Sequence, residues 1–305
     1  MAAVVASVSK TPTRTRRRLG IPIGWGFVTP FLVFFVIAIL APVVYAIYLS
    51  LFREQIVGGS GFVGFDNYVR AFTDPEFWAG VGRVIAFMIV QVPIMLAFSL
   101  IAALAIDSGR LRAPGFYRIL LFLPYAVPGV VAVLIWGFIY GPRFGLVGSI
   151  NNFLGAQIFT PLTPDWVLAS IANISVWEFA GYNMVIFYAA LRTVPSELYE
   201  AASLDGAGPL RTVMSIKLPA LRGALVITTI FSIIGSFQLF NEPNLLKPIA
   251  PNAITSNFTP NLYAYTLSFA GQQYNYSATI AIVMGLITAI IAYVVQLRGT
   301  RKELA

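Results

Sequence analysis

Neither cysteine nor histidine occurs among the 305 residues, and the two absences remove several chemistries at once. Thiolate and imidazole metal sites, cysteine nucleophiles, Ser-His-Asp triads and disulfides all need a residue this chain does not contain. The redox state of its compartment leaves no trace for the same reason. Charge is scarce too: 10% of the residues are charged and 58% are apolar, whereas an average soluble domain is about a quarter charged. Such a chain could not cover itself with polar groups in water. Lipid is therefore its solvent over much of its length, and a soluble enzyme is excluded. A Walker A loop cannot be written from it either. That motif needs Gly-Lys-Ser/Thr, and Lys10, Lys217, Lys247 and Lys302 all follow residues other than glycine. No catalytic residue, cofactor or metal is expected, and the energy for any transport must come from another chain or an ion gradient.

What the chain has in abundance is long apolar runs. A bilayer core about 30 Å thick needs about 20 apolar residues in a helix. Six stretches qualify: Trp25 to Phe52, Val84 to Ile106, Ile119 to Pro142, the stretch between Asp165 and Arg192, Gly223 to Asn241, and Tyr276 to Leu297. The first follows a basic segment, but a cleavable signal has an apolar run of only about 7–15 residues, so this one reads as an uncleaved anchor. Pro124 and Pro128 predict a kink in the third, because each proline removes a backbone hydrogen bond. The expectation is an all-α polytopic membrane protein of six transmembrane helices. It divides into a basic tail over 1–22, a membrane domain over 23–298 and a short tail over 299–305.

The net charge of +8 is explained by position, not by nucleic acid. With the N-terminus in the cytoplasm, fifteen of the Lys and Arg residues fall on inside segments and five on outside ones. That bias places both termini in the cytoplasm. The outer segments are mostly the longer ones and are rich in Gly, Asn, Pro and aromatics. Phe62 to Trp78 reads as a short, partly helical cap, with Tyr68, Phe77 and Trp78 suited to a membrane aromatic belt. No internal repeat stands out.

The inner segment over about 193–222 is the most informative. Pro195 suits a first helical turn, and Glu197 lies near the positive end of that helix dipole. Good helix formers run from Ser196 to Leu204. Gly206 is a natural stop, since glycine accepts the left-handed conformation at a helix C-terminus. Gly208-Pro209 turns the chain, and a second helical run reaches Leu218, where Pro219 breaks it. Two short helices joined by a sharp elbow follow. Ala201, Ala202 and Ala207 permit close approach by another protein, and Glu200 and Asp205 can accept its hydrogen bonds.

On physics alone this is a helical hairpin on the inner side. Its spacing says more: Glu200-Ala201-Ala202, three residues, Gly206, nine residues, then Ile216-x-Leu218-Pro219. Every position resembles the EAA loop of the permease subunits of ABC importers, and the loop stands where it does in that family, inside and before the last two helices. Phe62–Trp78, Leu123-Pro124-Tyr125 with Pro128, and Gly235 to Pro243 are similar to sugar permeases of the oligosaccharide-uptake class. The extra N-terminal helices and the long outer insert of the maltose transporter's larger permease are missing here. The resemblance implies a type I ABC importer transmembrane domain in the bacterial or archaeal cytoplasmic membrane. It implies a second permease subunit as heterodimer partner, two copies of an ATP-binding subunit, an extracytoplasmic solute-binding protein and a carbohydrate substrate. It also implies an ATPase-coupling role for Glu200, Ala201, Ala202, Asp205, Gly206, Ile216, Leu218 and Pro219.

Glu178 reads as the only acid deep in a span, which marks it as a functional candidate. Ser175, Glu178 and Tyr182 share a helix face by spacing. Asn183, Phe237, Gln238 and Asn241 join Glu178 and Tyr182 as substrate-pathway candidates, because sugars need amide or carboxylate partners and flat aromatic faces. Each has a plainer reading. Glu178 can bond to a neighbouring helix, Ser232 and Ser236 can be packing residues, and Phe237 and Phe240 can be core. At this stage an ABC permease for a non-sugar solute, an ion-coupled secondary transporter and a channel or scaffold stand as alternatives. The secondary transporter would want an inverted repeat and several intramembrane acids.

Overall fold

The structure, a computed structural model, describes residues 23–55 and 59–301. The tail expected over 1–22 and residues 302–305 lie outside the described residues. The chain divides into two compact units, 1–45 and 46–305.

The described part of the first unit is helical: α1 (Ile23–Phe35), a π-turn over Val36–Leu40 and the start of α2 (Ala41–Ser50). Gly24–Ser50 qualifies as one candidate span, and none of its apolar window is buried inside the protein. The π-turn ends just before Pro42. There the Ala41 amide donates to the Val36 carbonyl, a spacing that relieves the clash of a proline ring with the preceding turn.

In the second unit α2 ends at a hairpin the sequence did not announce. Strands β1 (Phe52–Gln55) and β2 (Gly59–Phe62) pair antiparallel, with Phe52 opposite Phe62. Helix α3 (Asp66–Thr73) follows, tied back by the Asn67 amide, which donates to the Ser50 and Phe52 carbonyls. Helix α4 then runs unbroken over Pro75–Asp107. The second span thus begins nine residues earlier than the charge at Arg83 suggested, and Pro75–Arg83 belongs to it, not to a separate cap. Two things permit this. Asp74 caps the helix by accepting from the Glu76 and Phe77 amides, and the Arg83 guanidinium donates to the Asn257 and Phe258 carbonyls, so its charge is satisfied within the protein.

Asp74 also accepts hydroxyls from Tyr276 (2.6 Å) and Tyr263 (2.9 Å). Burial works against its charge, but these donations outweigh burial and hold the carboxyl below its ordinary value. The Tyr263 phenol is pushed up to about 12, by burial first and then by Asp74.

The third expected span is broken. Helix α5 (Pro114–Phe122), a 3-10 turn over Leu123–Ala126 and α6 (Gly129–Tyr140) meet at a bend of 94°. Pro124 and Pro128 produce a full break where the sequence predicts a kink. The described residues therefore hold five single candidate spans, or six with the broken pair counted as one. Helix α7 (Leu146–Leu154) precedes α8 (Val167–Leu191), the fourth span, which packs along α4.

Helices α9 (Ser196–Leu204), α10 (Pro209–Thr212), a π-turn (Val213–Lys217) and α11 (Leu218–Ala220) form the inner loop. Helix α12 (Arg222–Phe237) ends short of Asn241. After a three-residue break, α13 (Asn241–Leu246) completes a candidate span over Arg222–Leu246. Helix α14 (Pro260–Phe269) leads into α15 (Tyr274–Arg301), the last span, which runs past residue 298, the predicted end of the membrane domain.

Three apolar clusters hold the second unit together. One joins α6, α8 and the chain from α13 to α14 around Ile171, Ile174 and Ile254. One joins α4, α12 and α15 around Phe77, Phe237 and Ile280. The third, around Met184, Phe187 and Leu221, anchors the inner loop to α4 and α8. Between α4 and α8 the contact includes a polar bond, as expected of helices in lipid: the Ser99 hydroxyl reaches the Ala180 carbonyl at 2.8 Å.

Candidate functional site

The inner loop is built as its spacing requires. The α9 run ends on Gly206, whose φ is +71°, and the Ala207 amide donates to the Ala202 carbonyl at 2.9 Å. That six-to-one bond around a left-handed glycine is the Schellman closure. Pro209 opens the next run, where its missing N–H costs nothing. Pro219 does not end that run at Leu218; helix continues to Ala220. The reason is the π-turn before it. The Leu218 amide donates to the Val213 carbonyl, widening the turn ahead of the proline ring as at Pro42.

Glu200, Ala201, Asp205, Gly206 and Pro219 are exposed, while Ala202, Ile216 and Leu218 are half-buried. Around them large apolar side chains stand in the open, with Leu204 at 88%, Leu210 at 74% and Met214 at 60% exposure. Large apolar side chains exposed to this extent outside the candidate spans are what a protein-binding surface presents. Behind it, Lys217 pairs with Asp107 at the end of α4. The separation is 2.5 Å, and the side chains are only 11% and 10% exposed. The Lys217 ammonium lies 5.4 Å from the Tyr199 ring centre. The Tyr199 phenol is pushed up, by burial first and then by the Asp107 charge, with Arg192 opposing. Its hydroxyl is buried without a hydrogen-bond partner.

A cavity of about 390 Å³ opens among α4, the break before α6, α8 and the α12–α13 junction. Its aromatic wall is a stacked pair, Tyr125 on Tyr182, with ring centres 4.7 Å apart and planes 22° from parallel. Phe179 meets Tyr125 edge-on. Tyr125 reaches the cavity because it sits in the 3-10 turn between Pro124 and Pro128. The polar wall comprises Gln91, Asn183, Gln238, Asn241 and Glu242. Gln91 and Asn183 both direct amide donors at the Met95 sulfur. Ser232 and Ser236 also line the cavity, each returning its hydroxyl to the carbonyl four residues back.

Of the sequence-derived candidates, Tyr182, Asn183, Gln238 and Asn241 come together here. Glu178 does not line the cavity. Its Oε1 lies 3.2 Å from where a side chain on Gly129 would begin, at the first residue of α6. Helix phase alone does not decide this, since at about 100° per residue positions 178 and 179 lie equally near the face of Ser175 and Tyr182; Glu178 packs against the start of α6, and Phe179 takes the place on the cavity lining. Phe237 is 2% exposed and belongs to the α4–α12–α15 cluster. Phe240 packs against the α6–α8 cluster and the Tyr265 ring. Glu178 is also not the only acid at depth. Glu242, assigned by sequence to an outer loop, lies within the candidate span and on the cavity wall, facing Ser175. It was missed because the run of apolar residues stops before it, although Asn241-Glu242-Pro243 is a legible helix start.

Residues 95–299 match the family described as binding-protein-dependent transport system inner membrane component. The lactose transport system permease protein LacF of Rhizobium radiobacter is 32% identical over 281 residues, covering 88% of this chain and 91% of that protein. The diacetylchitobiose uptake system permease protein NgcF of Streptomyces coelicolor is 34% identical over 251 residues, covering 77% and 69%. The fold matches a chain of a bacterial ABC transporter involved in the import of the acidic polysaccharide alginate, with a TM-score of 0.79 at 19% identity over 92% of this chain and 95% of that one. The EAA-type elbow, the broken third span and the polar cavity thus stand in a chain that belongs to the binding-protein-dependent transport system inner membrane components, the membrane-spanning, non-catalytic permease subunits of ABC importers.

Proposed function

We propose that this chain carries a saccharide across the membrane as one of two unlike permease subunits, with two copies of an ATP-binding subunit docked on the 193–222 loop in the cytoplasm. The observation that carries the saccharide reading is the cavity. A stacked tyrosine pair and several amide side chains line it together, the combination of flat face and hydrogen-bonding edge that a pyranose ring needs. The names of the lactose and diacetylchitobiose permeases support it.

In this reading both termini are cytoplasmic, as the Lys/Arg distribution favours. The exposed Leu204, Leu210 and Met214 receive the ATPase, and Glu200 and Asp205 accept its donors. Closure of the ATPase moves the elbow as a rigid body, and α8 and α12, joined directly to it, tilt to expose the cavity alternately to either side. A solute-binding protein delivers the saccharide from outside. Tyr182, Asn183, Gln238 and Asn241 line its path. Glu178 and Phe237 support that path from behind.

The test is ATP-dependent uptake of a labelled disaccharide by the intact importer in proteoliposomes. Gly206→Pro cannot adopt φ +71°, and Glu200→Lys reverses the charge of an exposed acceptor. Both variants are expected to insert normally and to lose transport. Normal uptake by both, or uptake by this chain alone without ATP, would remove the coupling role.

A further inference from the structure

The charges around the cavity point to a selectivity that the family does not specify. No Lys or Arg lines it, and the one ionisable acid on its wall is Glu242. Glu178, off the lining, lies against Gly129 at the start of α6. Neither carboxylate has a cationic partner, since the ion pair found among the described residues is Lys217–Asp107, on the inner loop. Nearby cations are committed elsewhere. Lys247, five positions beyond Glu242, donates to the Ser256 hydroxyl at 2.9 Å, and Arg83 donates to the Asn257 and Phe258 carbonyls. The remaining polar lining is amide and hydroxyl.

A carboxylate or sulfonate on a sugar would be desolvated here with no cation to receive it. Desolvating an unpaired charge is costly, and a second negative charge opposite it adds repulsion. In its ionised form Glu242 repels an anion. Protonated, it offers a single neutral donor and still no cation.

We infer that this chain's wall of the pathway admits uncharged and amino saccharides and excludes anionic ones such as uronates. The chemistry is the reverse of what an acidic polysaccharide requires, although the fold matches an alginate importer. The inference rests on the saccharide reading above. It adds the sign of the charge that the sugar can carry.

The experiment uses the solubilised importer, with both permeases and the ATPase but without the binding protein, so that the binding protein's own preference cannot intervene. Saturation-transfer NMR detects weak contacts of three disaccharides of the same linkage: one neutral, one with a uronic acid unit and one with a free amino sugar. The amino and neutral forms are expected to saturate, and the uronate to bind roughly tenfold more weakly than the neutral sugar. Glu242→Gln is expected to narrow the ladder, and Gln238→Lys, which leaves Glu242 in place, to raise the uronate signal. A uronate signal equal to the neutral one overturns the inference, and so does a ladder that both variants leave unchanged. If none of the three saturates while the complex still hydrolyses ATP, the saccharide reading itself falls.

Discussion

Gly181 shows how much a single hydrogen can hold. Its position on α8 faces the Leu121 carbonyl at the end of α5, and a Cβ there would overlap that backbone oxygen. Backbone cannot swing aside as a side chain can, so the two helices would have to separate. Leu121 stands four residues before Tyr125, and Gly181 adjoins Tyr182. Separation would therefore pull apart the stacked rings that form the aromatic wall. Gly181→Val is expected to cost about 1–3 kcal/mol, as overpacked sites do. It should lower the unfolding temperature in detergent and reduce uptake. Gly82→Ala serves as the control, because nothing lies within 4 Å of its added methyl, and a helical Gly to Ala change is expected to be neutral or stabilising by up to about 1 kcal/mol. Equal behaviour of the two variants would show that α5 and α8 do not need this contact. Residue by residue, legibility followed distance in sequence. Ser175, Tyr182 and Asn183 could be placed on one helix by counting. Tyr125 and Gln91 could not be joined to them, since each comes from another span and only packing brings them together. Glu178 shows the opposite failure, a conspicuous residue that shares the helix face by spacing but packs against Gly129 at the start of α6 instead of lining the cavity.

At the scale of elements, the loop over 193–222 was the most readable part because its signals are local. Gly206 needs the left-handed region, Pro209 starts a helix, and both do so in the structure. The third span was half-readable: two prolines four apart predict a disturbance, but not that it amounts to 94°. The hairpin over 52–62 was not readable, because its strands have no alternating apolar pattern for a period-two reading to catch. Nor could the partner of Lys217 be foreseen. It occupies the variable position of Ile216-x-Leu218, and Asp107 lies 110 residues away. Their ion pair joins the inner loop to α4, so α4 is tied to any movement of the elbow along with α8 and α12. Removing one member of a buried pair leaves the other charge without compensation, a loss of about 3–5 kcal/mol where burial is complete. Asp107→Asn and Lys217→Met are each expected to lower sugar transported per ATP hydrolysed while hydrolysis itself continues. The exchange Asp107→Lys with Lys217→Asp is expected to recover part of that ratio. If the single variants keep the wild-type ratio, the pair is structural only and α4 does not follow the loop.

For the whole molecule, everything on the coupling side depends on which end of the bundle meets the cytoplasm. The charge bias predicts that the elbow side is the cytoplasmic one: basic residues crowd that side, where Arg192, Arg211, Lys217 and Arg222 lie within or beside the loop. The opposite end carries the hairpin, α3, α7 and the α13–α14 connection, with Arg83 folded into backbone carbonyls. A chain without cysteine makes the matter directly measurable, because one introduced thiol is the only thiol. Ser203, exposed on α9, and Ser60, exposed on β2, lie at the two ends and can each be changed to Cys in turn. A maleimide that cannot cross membranes is expected to label Ser60→Cys in intact spheroplasts and to reach Ser203→Cys only after permeabilisation. The ATPase, once bound, should then shield the second site, since Leu204 beside it is 88% exposed in the isolated chain and would be covered by docking. Labelling of Ser203→Cys from outside would invert the topology and leave the exposed apolar face without a cytoplasmic motor to receive.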